Sequence, residues 1–301
     1  MLAFLRRGGS GSRLAPGPRA ALAGVLASPT FELIPLKSAL DQAAALPPGA
    51  TVSVTASPAK GLEATVRLCI ALEAEGFRAV PHLAARMVRD RAHLADLLDP
   101  LADAGIDRAF VVGGDPEVPG AYPDASSLLR AMAELGNGPR EIGIGCYPEG
   151  HPVIPDEALR LALHDKVPFA SYMTTQLCFD PPAIARFIAE RRAEGISLPV
   201  KIGIPGVAEV PKLMAISARI GVRDTGRFLM KNTRFVGQLL TSGGVYRPTG
   251  LLEKLAPLIA EPRAGVIDLH VYTFNQVAST ETWRHDYLGS LGEPAGATAP
   301  A

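Results

Sequence analysis

The chain has 301 residues, with 30 Lys and Arg against 30 Asp and Glu, so its formal net charge at pH 7 is zero. A chain of this length can bury a full core in one large domain or two smaller ones. Because it has no surplus of positive charge and no basic stripe, we expect no nucleic-acid partner and no anionic membrane surface as partner. No stretch approaches the ~18 uncharged apolar residues that a membrane span needs.

The cysteines are few and scattered. Cys69, Cys146 and Cys178 are odd in number and offer neither a disulfide framework nor the paired spacing of a metal site. This usage fits a reducing compartment, so we expect a cytoplasmic protein.

The two ends have the composition of flexible segments. Residues 1–29 combine arginines with Gly, Ser, Ala and Pro, and their apolar run Ala20–Ala27 lacks the processing spacer of an export signal before the first predicted strand. We therefore expect a flexible leader over residues 1–29 and a disordered tail over residues 289–301. The folded catalytic domain should span residues 30–288.

In chain order, short apolar runs rich in β-branched residues alternate with longer stretches of helical spacing. Eight runs are predicted strands: Phe31–Pro35, Thr51–Thr55, Arg78–Leu83, Arg108–Val112, Glu141–Cys146, Phe169–Thr175, Pro199–Ile204 and Val266–Thr273.

Amphipathic segments separate these strands, and Gly76, Gly105 and Gly195 stand where helix C-caps should fall. The predicted helices are Ser38–Leu46, Gly61–Gly76, Arg89–Gly105, Asp124–Leu135, Pro155–Lys166, Pro181–Gly195 and two or more within Glu209–Ala260.

Strands that alternate with helices imply parallel pairing, and eight such units in ~250 residues predict an α/β fold of the (β/α)₈ TIM barrel type. A doubly wound open sheet is the alternative, but no GxGxxG follows the first strand.

Active sites of such barrels lie at the C-terminal ends of the strands. Each candidate also has a structural explanation, for example His82 as a core histidine and Asp115 as a turn residue. The polar residues at the predicted strand ends are Thr55, His82, Asp115, Tyr147, Glu149, His151, Gln176, Tyr272 and Asn275.

Glu32 is the strongest candidate for a catalytic residue. It stands between Phe31 and Leu33 in the first strand, so its carboxyl group should point into the barrel. A buried charge costs several kcal/mol unless it is paired or protonated. A carboxyl group kept protonated near neutral pH is what general acid catalysis requires.

Metal binding has weaker support. His82, His151 and His270 lie near strand ends, but no HxH pair accompanies them, and the pair of Asp268 and His270 lacks a third ligand that the sequence can place. We therefore expect no metal site.

Taken in order, the strand ends resemble the methylenetetrahydrofolate reductase family across residues 31–275. The most specific motifs are YPEGHP at 147–152 and TTQ-x-x-FD at 174–180, and Gly114-Asp115 after strand four supports them. The family reduces 5,10-methylenetetrahydrofolate to 5-methyltetrahydrofolate, usually by passing a hydride from NADH or NADPH through FAD. The resemblance thus implies a tetrahydrofolate substrate and a role in one-carbon metabolism and methionine biosynthesis.

The resemblance also assigns roles. Glu32 matches the general acid that protonates N10 of the folate, and Asp115 matches the second catalytic carboxylate, near the flavin and the pterin. The substrate-binding positions are Asp115, Gln176, Tyr272 and Asn275. The cofactor-binding positions are Thr55, His82, Gly114, Asp115, Tyr147, His151, Lys166 and Gln176.

Several positions depart from the family pattern. Where flavin-containing members carry Asp, Asn and an Arg-Lys pair for the ribose and phosphates, this chain has Leu159, Ala162, Asp165 and Lys166. Asp165 near a pyrophosphate would repel it. Further departures are Gly113 in place of Arg, Asp124-Ala125 in place of Tyr-Ala, and Gln276 in place of Arg.

The sequence therefore predicts a reductase that binds FAD weakly or transfers hydride directly from NADH or NADPH. Two alternatives stay open: a non-catalytic folate-binding accessory barrel, and a pterin-dependent methyltransferase barrel that needs no nicotinamide. The choice between NADH and NADPH, the physiological direction and a homo-oligomeric state are not determined at this level.

Overall fold

The computed structural model describes residues 14–136, 138–213 and 244–292. Eight parallel strands close into a barrel, which confirms the predicted fold class. They are β1 (Thr30–Leu33), β2 (Thr51–Val54), β3 (Arg78–Ala84), β4 (Arg108–Val112), β5 (Glu141–Cys146), β6 (Tyr172–Thr175), β7 (Val200–Pro205) and, after two short strands, β10 (Val266–Tyr272).

Strands β1 and β10 pair directly and close the barrel, with Thr30 opposite His270 and Glu32 opposite Tyr272. The two short strands, β8 (Ala208–Glu209) and β9 (Val245–Tyr246), form a separate antiparallel pair that the sequence did not predict.

Helices surround the strands. Within the described residues they are α1 (Pro16–Ala27), α2 (Ala39–Ala43), α3 (Leu62–Ala74), α4 (Arg91–Asp103), α5 (Ala125–Leu135), α6 (Asp156–Lys166), α7 (Pro181–Ala193), α8 (Thr249–Ile259) and α9 (Val277–Gly292). In these parts of the chain, no helix is both long and apolar enough to cross a bilayer.

Glycines end three of the helices as predicted. Gly76, Gly105 and Gly195 have φ values of 85°, 75° and 84° and follow α3, α4 and α7. This left-handed conformation is strained for residues with a Cβ, so these positions fix where the chain turns toward the next strand.

Two predicted boundaries were too wide. The helix expected over Ser38–Leu46 is only the five residues of α2. The sixth strand begins at Tyr172 rather than Phe169, because Val167–Phe169 forms a 3-10 turn with a proline near its start. Proline fixes φ near the helical range and lacks an N–H donor, which favours such a turn over a strand.

The expectation of a flexible leader is wrong for residues 16–27, which form α1. Leu22 and Leu26 on this helix are fully buried, and the helix contacts α8, α9 and β10. The Arg284 guanidinium of α9 donates to the Leu26 carbonyl oxygen at 2.7 Å. Burial of Leu22 and Leu26, at roughly 1.5–3 kcal/mol each, contributes to ordering this helix.

The tail begins later than expected. Helix α9 extends through Gly292, and Leu291 on it is buried, so residues 289–292 belong to the fold. The remaining tail, residues 293–301, and residues 1–13 lie outside the described residues, as do residues 214–243 of the region predicted to hold two or more helices.

The apolar core lies between the barrel and its helices, whereas the barrel interior is partly polar. Strand residues alternate between these two sides. Facing inward are a small apolar group, Val80, Phe110 and Tyr172, and a set of polar residues that includes Glu32 and His270. The interior can therefore hold chemistry as well as packing.

Candidate active site

A polar cluster occupies the barrel interior around Glu32. Its Oε2 atom lies 3.1 Å from Nε2 of His270 on β10 and 3.9 Å from Nε2 of His82 on β3. Ser53 on β2 places its Oγ 2.6 Å from the same nitrogen of His82. Glu32 points into the barrel as predicted, and only 14% of its side chain is exposed.

Burial determines the charge state of His82. The side chain is enclosed, and its burial lowers the pKa from 6.5 to about 4; nearby His270 acts in the same direction and Glu32 opposes it. At neutral pH the ring of His82 is therefore uncharged. Its contact with Ser53 satisfies the buried ring nitrogen without a counter-ion.

That the protein holds no metal stays a prediction, but three strands bring together a possible ligand set that the sequence did not place. Ligand atoms of Glu32, His82 and His270 all lie within 4.8 Å of one another, close enough to hold a metal ion. The sequence missed the set because its members lie on three strands that only barrel closure brings together. Both histidine nitrogens already have a hydrogen-bond partner: Nε2 of His82 contacts Ser53, and Nε2 of His270 contacts Glu32.

Most of the predicted cofactor positions line one cavity of about 620 Å³ at the C-terminal ends of the strands. We call it the central cavity. The predicted residues that line it are Thr55, His82, Gly114, Asp115, Tyr147, His151 and Gln176.

Two aromatic rings form one wall of the central cavity. Tyr147 and His151 meet edge to face, with ring centroids 5.5 Å apart. Nδ1 of His151 accepts from the backbone N–H groups of Val153 and Ile154, at 3.3 and 3.2 Å, which fixes the ring. Burial raises the pKa of the Tyr147 hydroxyl, with Cys146 and Asp115 adding to the effect, so it stays protonated and can donate a hydrogen bond.

The lining of the central cavity also includes the exposed Asp115, which follows Gly114. Gly114 has φ +92°, and a Cβ there would lie 3.0 Å from the Cβ of Ala84. Only glycine fits both the conformation and the close approach, so the Gly-Asp pair of the motif places the carboxylate at the cavity.

Three predicted substrate residues make internal contacts. The Tyr272 hydroxyl donates to the Thr175 carbonyl oxygen at 3.3 Å, and the side-chain oxygen of Gln176 accepts from the N–H of Leu177 at 2.8 Å. Asn275 binds the backbone of Ile34 twice, accepting at 2.8 Å and donating at 3.0 Å. Its amide thus joins the ends of β1 and β10, and its contact with substrate stays a prediction.

A second depression, of about 550 Å³, lies beside α6 and α7, and we call it the outer groove. It shares lining residues with the central cavity, among them Tyr147 and Ile154. Leu159, Ala162 and Lys166 line it. Asp165 is exposed and does not line the outer groove. The repulsion of a pyrophosphate that we expected from its charge therefore does not apply to this groove.

The outer groove has more negative than positive side chains. Six carboxylates line it against four cations. Three of these cations have other partners: Arg160 binds Glu157 through two hydrogen bonds at 2.9 and 2.7 Å, Arg191 binds Glu194 at 2.7 Å, and Lys166 donates to the Gly145 carbonyl oxygen at 3.0 Å. Such a lining is poorly suited to a pyrophosphate.

The structure also explains one departure from the family pattern. Asp124 caps α5: its side chain accepts from the N–H of Ser127, and the Ser127 hydroxyl completes a capping box.

Reasoning from the sequence missed His270 and Ser53 as neighbours of the candidate acid. The alternation of inward residues along β2 and β10 was the signal that could have found them.

Comparison with known proteins identifies the family of the chain. A family model described as "Methylenetetrahydrofolate reductase" matches residues 34–285. A 5,10-methylenetetrahydrofolate reductase from Pectobacterium carotovorum subsp. carotovorum is 28% identical over 208 residues, which is 68% of this chain and 67% of that protein.

Solved structures add little. A putative lyase/mutase from Burkholderia cenocepacia J2315 is 14% identical, with 91% of this chain and 86% of that chain covered and a TM-score of 0.45. A chitinase from Rhizomucor miehei is 10% identical, with 88% and 99% covered and the same TM-score of 0.45. Neither similarity bears on function. The family model covers most of the described barrel, and the chain belongs to the methylenetetrahydrofolate reductase family.

Proposed function

We propose that this protein reduces 5,10-methylenetetrahydrofolate to 5-methyltetrahydrofolate with NADH or NADPH. The observation that carries the proposal is the position of Glu32, a largely buried carboxyl group. It lies next to His82, and His82 lines the central cavity. Family membership supports the substrate class.

In the proposed mechanism, Glu32 is the general acid. Its proton passes to N10 of the folate, the bond between N10 and the bridging methylene carbon breaks, and a cationic iminium forms between that carbon and N5. Hydride from the nicotinamide then adds to the methylene carbon, which leaves a methyl group on N5 and oxidised nicotinamide. The protein supplies the proton, holds the two reactants in position and provides the electrostatic environment of the reaction.

Asp115 has the second role. Its carboxylate lines the central cavity, where a negative charge favours a cationic iminium over its neutral precursor. Because the side chain is exposed, solvent and salt weaken this effect.

We further propose that the hydride passes directly from NADH or NADPH to the folate, without FAD as intermediate carrier. The net negative lining of the outer groove and the apolar side chains of Leu159 and Ala162 support this, because they replace the contacts that hold a flavin dinucleotide in the family pattern. A visible spectrum of the purified protein, taken before and after incubation with FAD and desalting, tests the point. Retained flavin absorbance would contradict it.

The activity is tested by following NADH and NADPH oxidation with and without 5,10-methylenetetrahydrofolate, and by identifying 5-methyltetrahydrofolate by mass spectrometry. Folate-dependent oxidation with methyl product supports the proposal. Folate binding without turnover would favour the accessory barrel, and methyl transfer without nicotinamide would favour the methyltransferase.

We also place the protein in the cytoplasm. Cys69, Cys146 and Cys178 are all free and buried, as expected in a reducing compartment. Localisation of a tagged full-length chain tests this placement.

A further inference from the structure

His270 is a buried residue to which the motif comparison gave no role. It stands on β10, only 3% exposed, with its Nε2 3.1 Å from Oε2 of Glu32. Among the described side chains that face it, the titratable ones are Glu32 from β1, His82 from β3 and Tyr272 from its own strand.

Aromatic packing fixes the ring of His270. The Phe110 ring stacks on it at a centroid distance of 6.2 Å and an interplanar angle of 28°, and the Tyr272 ring meets it at 4.9 Å and 61°. A ring held from two sides cannot easily turn its nitrogen away from the carboxyl group.

The other histidine of the cluster is less well placed to hold Glu32. Nε2 of His82 lies 2.6 Å from Ser53 Oγ but 3.9 Å from Glu32 Oε2, which is too long for a hydrogen bond. Only His270 is within hydrogen-bond distance of this oxygen among the described side chains.

The contact distinguishes the two oxygens of the carboxyl group. When Glu32 carries its proton it has one O–H donor and one oxygen free to accept. If the N–H of His270 donates to Oε2, that oxygen accepts, and the proton of the acid resides on Oε1.

We propose that His270 is a positioning residue that donates its Nε2–H to Oε2 of Glu32 and so directs the transferable proton to Oε1. This inference rests on the proposed function, in which Glu32 is the acid. Since proton transfer requires a donor within hydrogen-bond reach of the acceptor, loss of the contact should slow the protonation step more than it weakens folate binding.

The test compares His270→Leu with His270→Gln. The amide of Gln can donate from nearly the same place as Nε2 of His, whereas Leu cannot donate. We expect His270→Leu to lower kcat by about 100-fold with KM for 5,10-methylenetetrahydrofolate within about threefold, and His270→Gln to recover at least tenfold of that loss.

A matched control is His164→Leu, because His164 also faces a glutamate, Glu194 at 3.0 Å, but on the outside of the barrel. It should leave kcat and KM unchanged. If His270→Gln is as slow as His270→Leu while both fold as the parent does by circular dichroism, a donated hydrogen bond is not the function of His270.

A second measurement does not depend on turnover. ¹⁵N NMR of the histidine rings, with the His270 signals identified by their loss in His270→Gln, reports which ring nitrogen carries a proton. A proton on Nε2 supports the proposal, and an unprotonated Nε2 overturns it. If the parent protein shows no folate reduction, the proposed function fails, and this measurement still decides the contact.

Discussion

The barrel interior and the outer groove differ in how deeply their polar groups are buried. In the interior, Glu32, His82 and His270 are mostly buried and bound to one another or to Ser53 at short distances. In the outer groove, beside α6 and α7, charged side chains such as Glu157 and Glu190 are exposed.

This contrast predicts which positions tolerate substitution. A buried polar group that loses its partner costs about 1–3 kcal/mol or more, so the interior tolerates few substitutions. An exposed residue such as Ala162 on α6 can change with little effect on stability. The polar interior is thus constrained by folding itself, whereas exposed positions of the outer groove can change without a large loss of stability.

The largest effect is expected for Glu32→Gln, which keeps the shape of the side chain but removes the acid. We expect kcat to fall about 1,000-fold, because a positioned acid contributes on the order of 10²–10⁴. Steady-state kinetics measure this. The surface variant Glu134→Gln, which alters only an exposed pair with Arg91, should match the parent. Unchanged turnover in Glu32→Gln would falsify the assignment of the acid.

The buried ring of His82 should make the stability of the protein fall in acid. Its folded pKa of about 4 lies below the unfolded value of 6.5, so the unfolded chain takes up the proton first as pH decreases. The stability is fully present above pH 6.5 and is lost down to about pH 4, by up to about 3 kcal/mol.

Urea unfolding at about pH 7 and about pH 4.5 measures this loss. His82→Asn should show a correspondingly weaker pH dependence, although it starts from lower stability. His285→Asn at an exposed histidine should keep the dependence of the parent. If the free energy of unfolding falls equally with pH in His82→Asn and in the parent, another group causes the acid sensitivity.

A smaller effect is expected for Asp115→Asn. Removal of an exposed charge near the iminium should lower kcat/KM about tenfold at low ionic strength and less at high salt, because salt screens exposed charges. Kinetics at two salt concentrations check both statements, with Asp103→Asn at the end of α4 as the control. A salt-independent effect would indicate that Asp115 acts by contact with the substrate.

The smallest effect concerns the outer groove. Glu157→Gln removes one carboxylate and releases Arg160, so the affinity for FAD and for NADH should rise about two- to fivefold. Calorimetric titration measures both ligands, with Glu253→Gln on α8 as control. If neither affinity changes at low salt, the dinucleotides do not use this groove.

The barrel was predictable because its signals are local. Apolar runs of strand length, helical spacing between them and the glycines at 76, 105 and 195 each depend on neighbours along the chain. Apart from the boundaries of α2 and β6, these signals agreed with the structure. The leader was mispredicted because its composition says nothing about a partner surface. Leu22 and Leu26 lie on a helix that packs against α8, α9 and β10, which follow more than 220 residues later in the chain.

For the site, the sequence by itself determined that Glu32 faces the barrel interior and that Gly114 places Asp115 at a strand end, because alternation along a strand and the steric freedom of glycine act within a few residues. Only the tertiary structure decided what Glu32 meets there. His270 is 238 residues away in sequence and reaches the carboxyl group because β10 pairs with β1 when the barrel closes. Contacts across the interior depend on the register and closure of all eight strands, which no local pattern specifies.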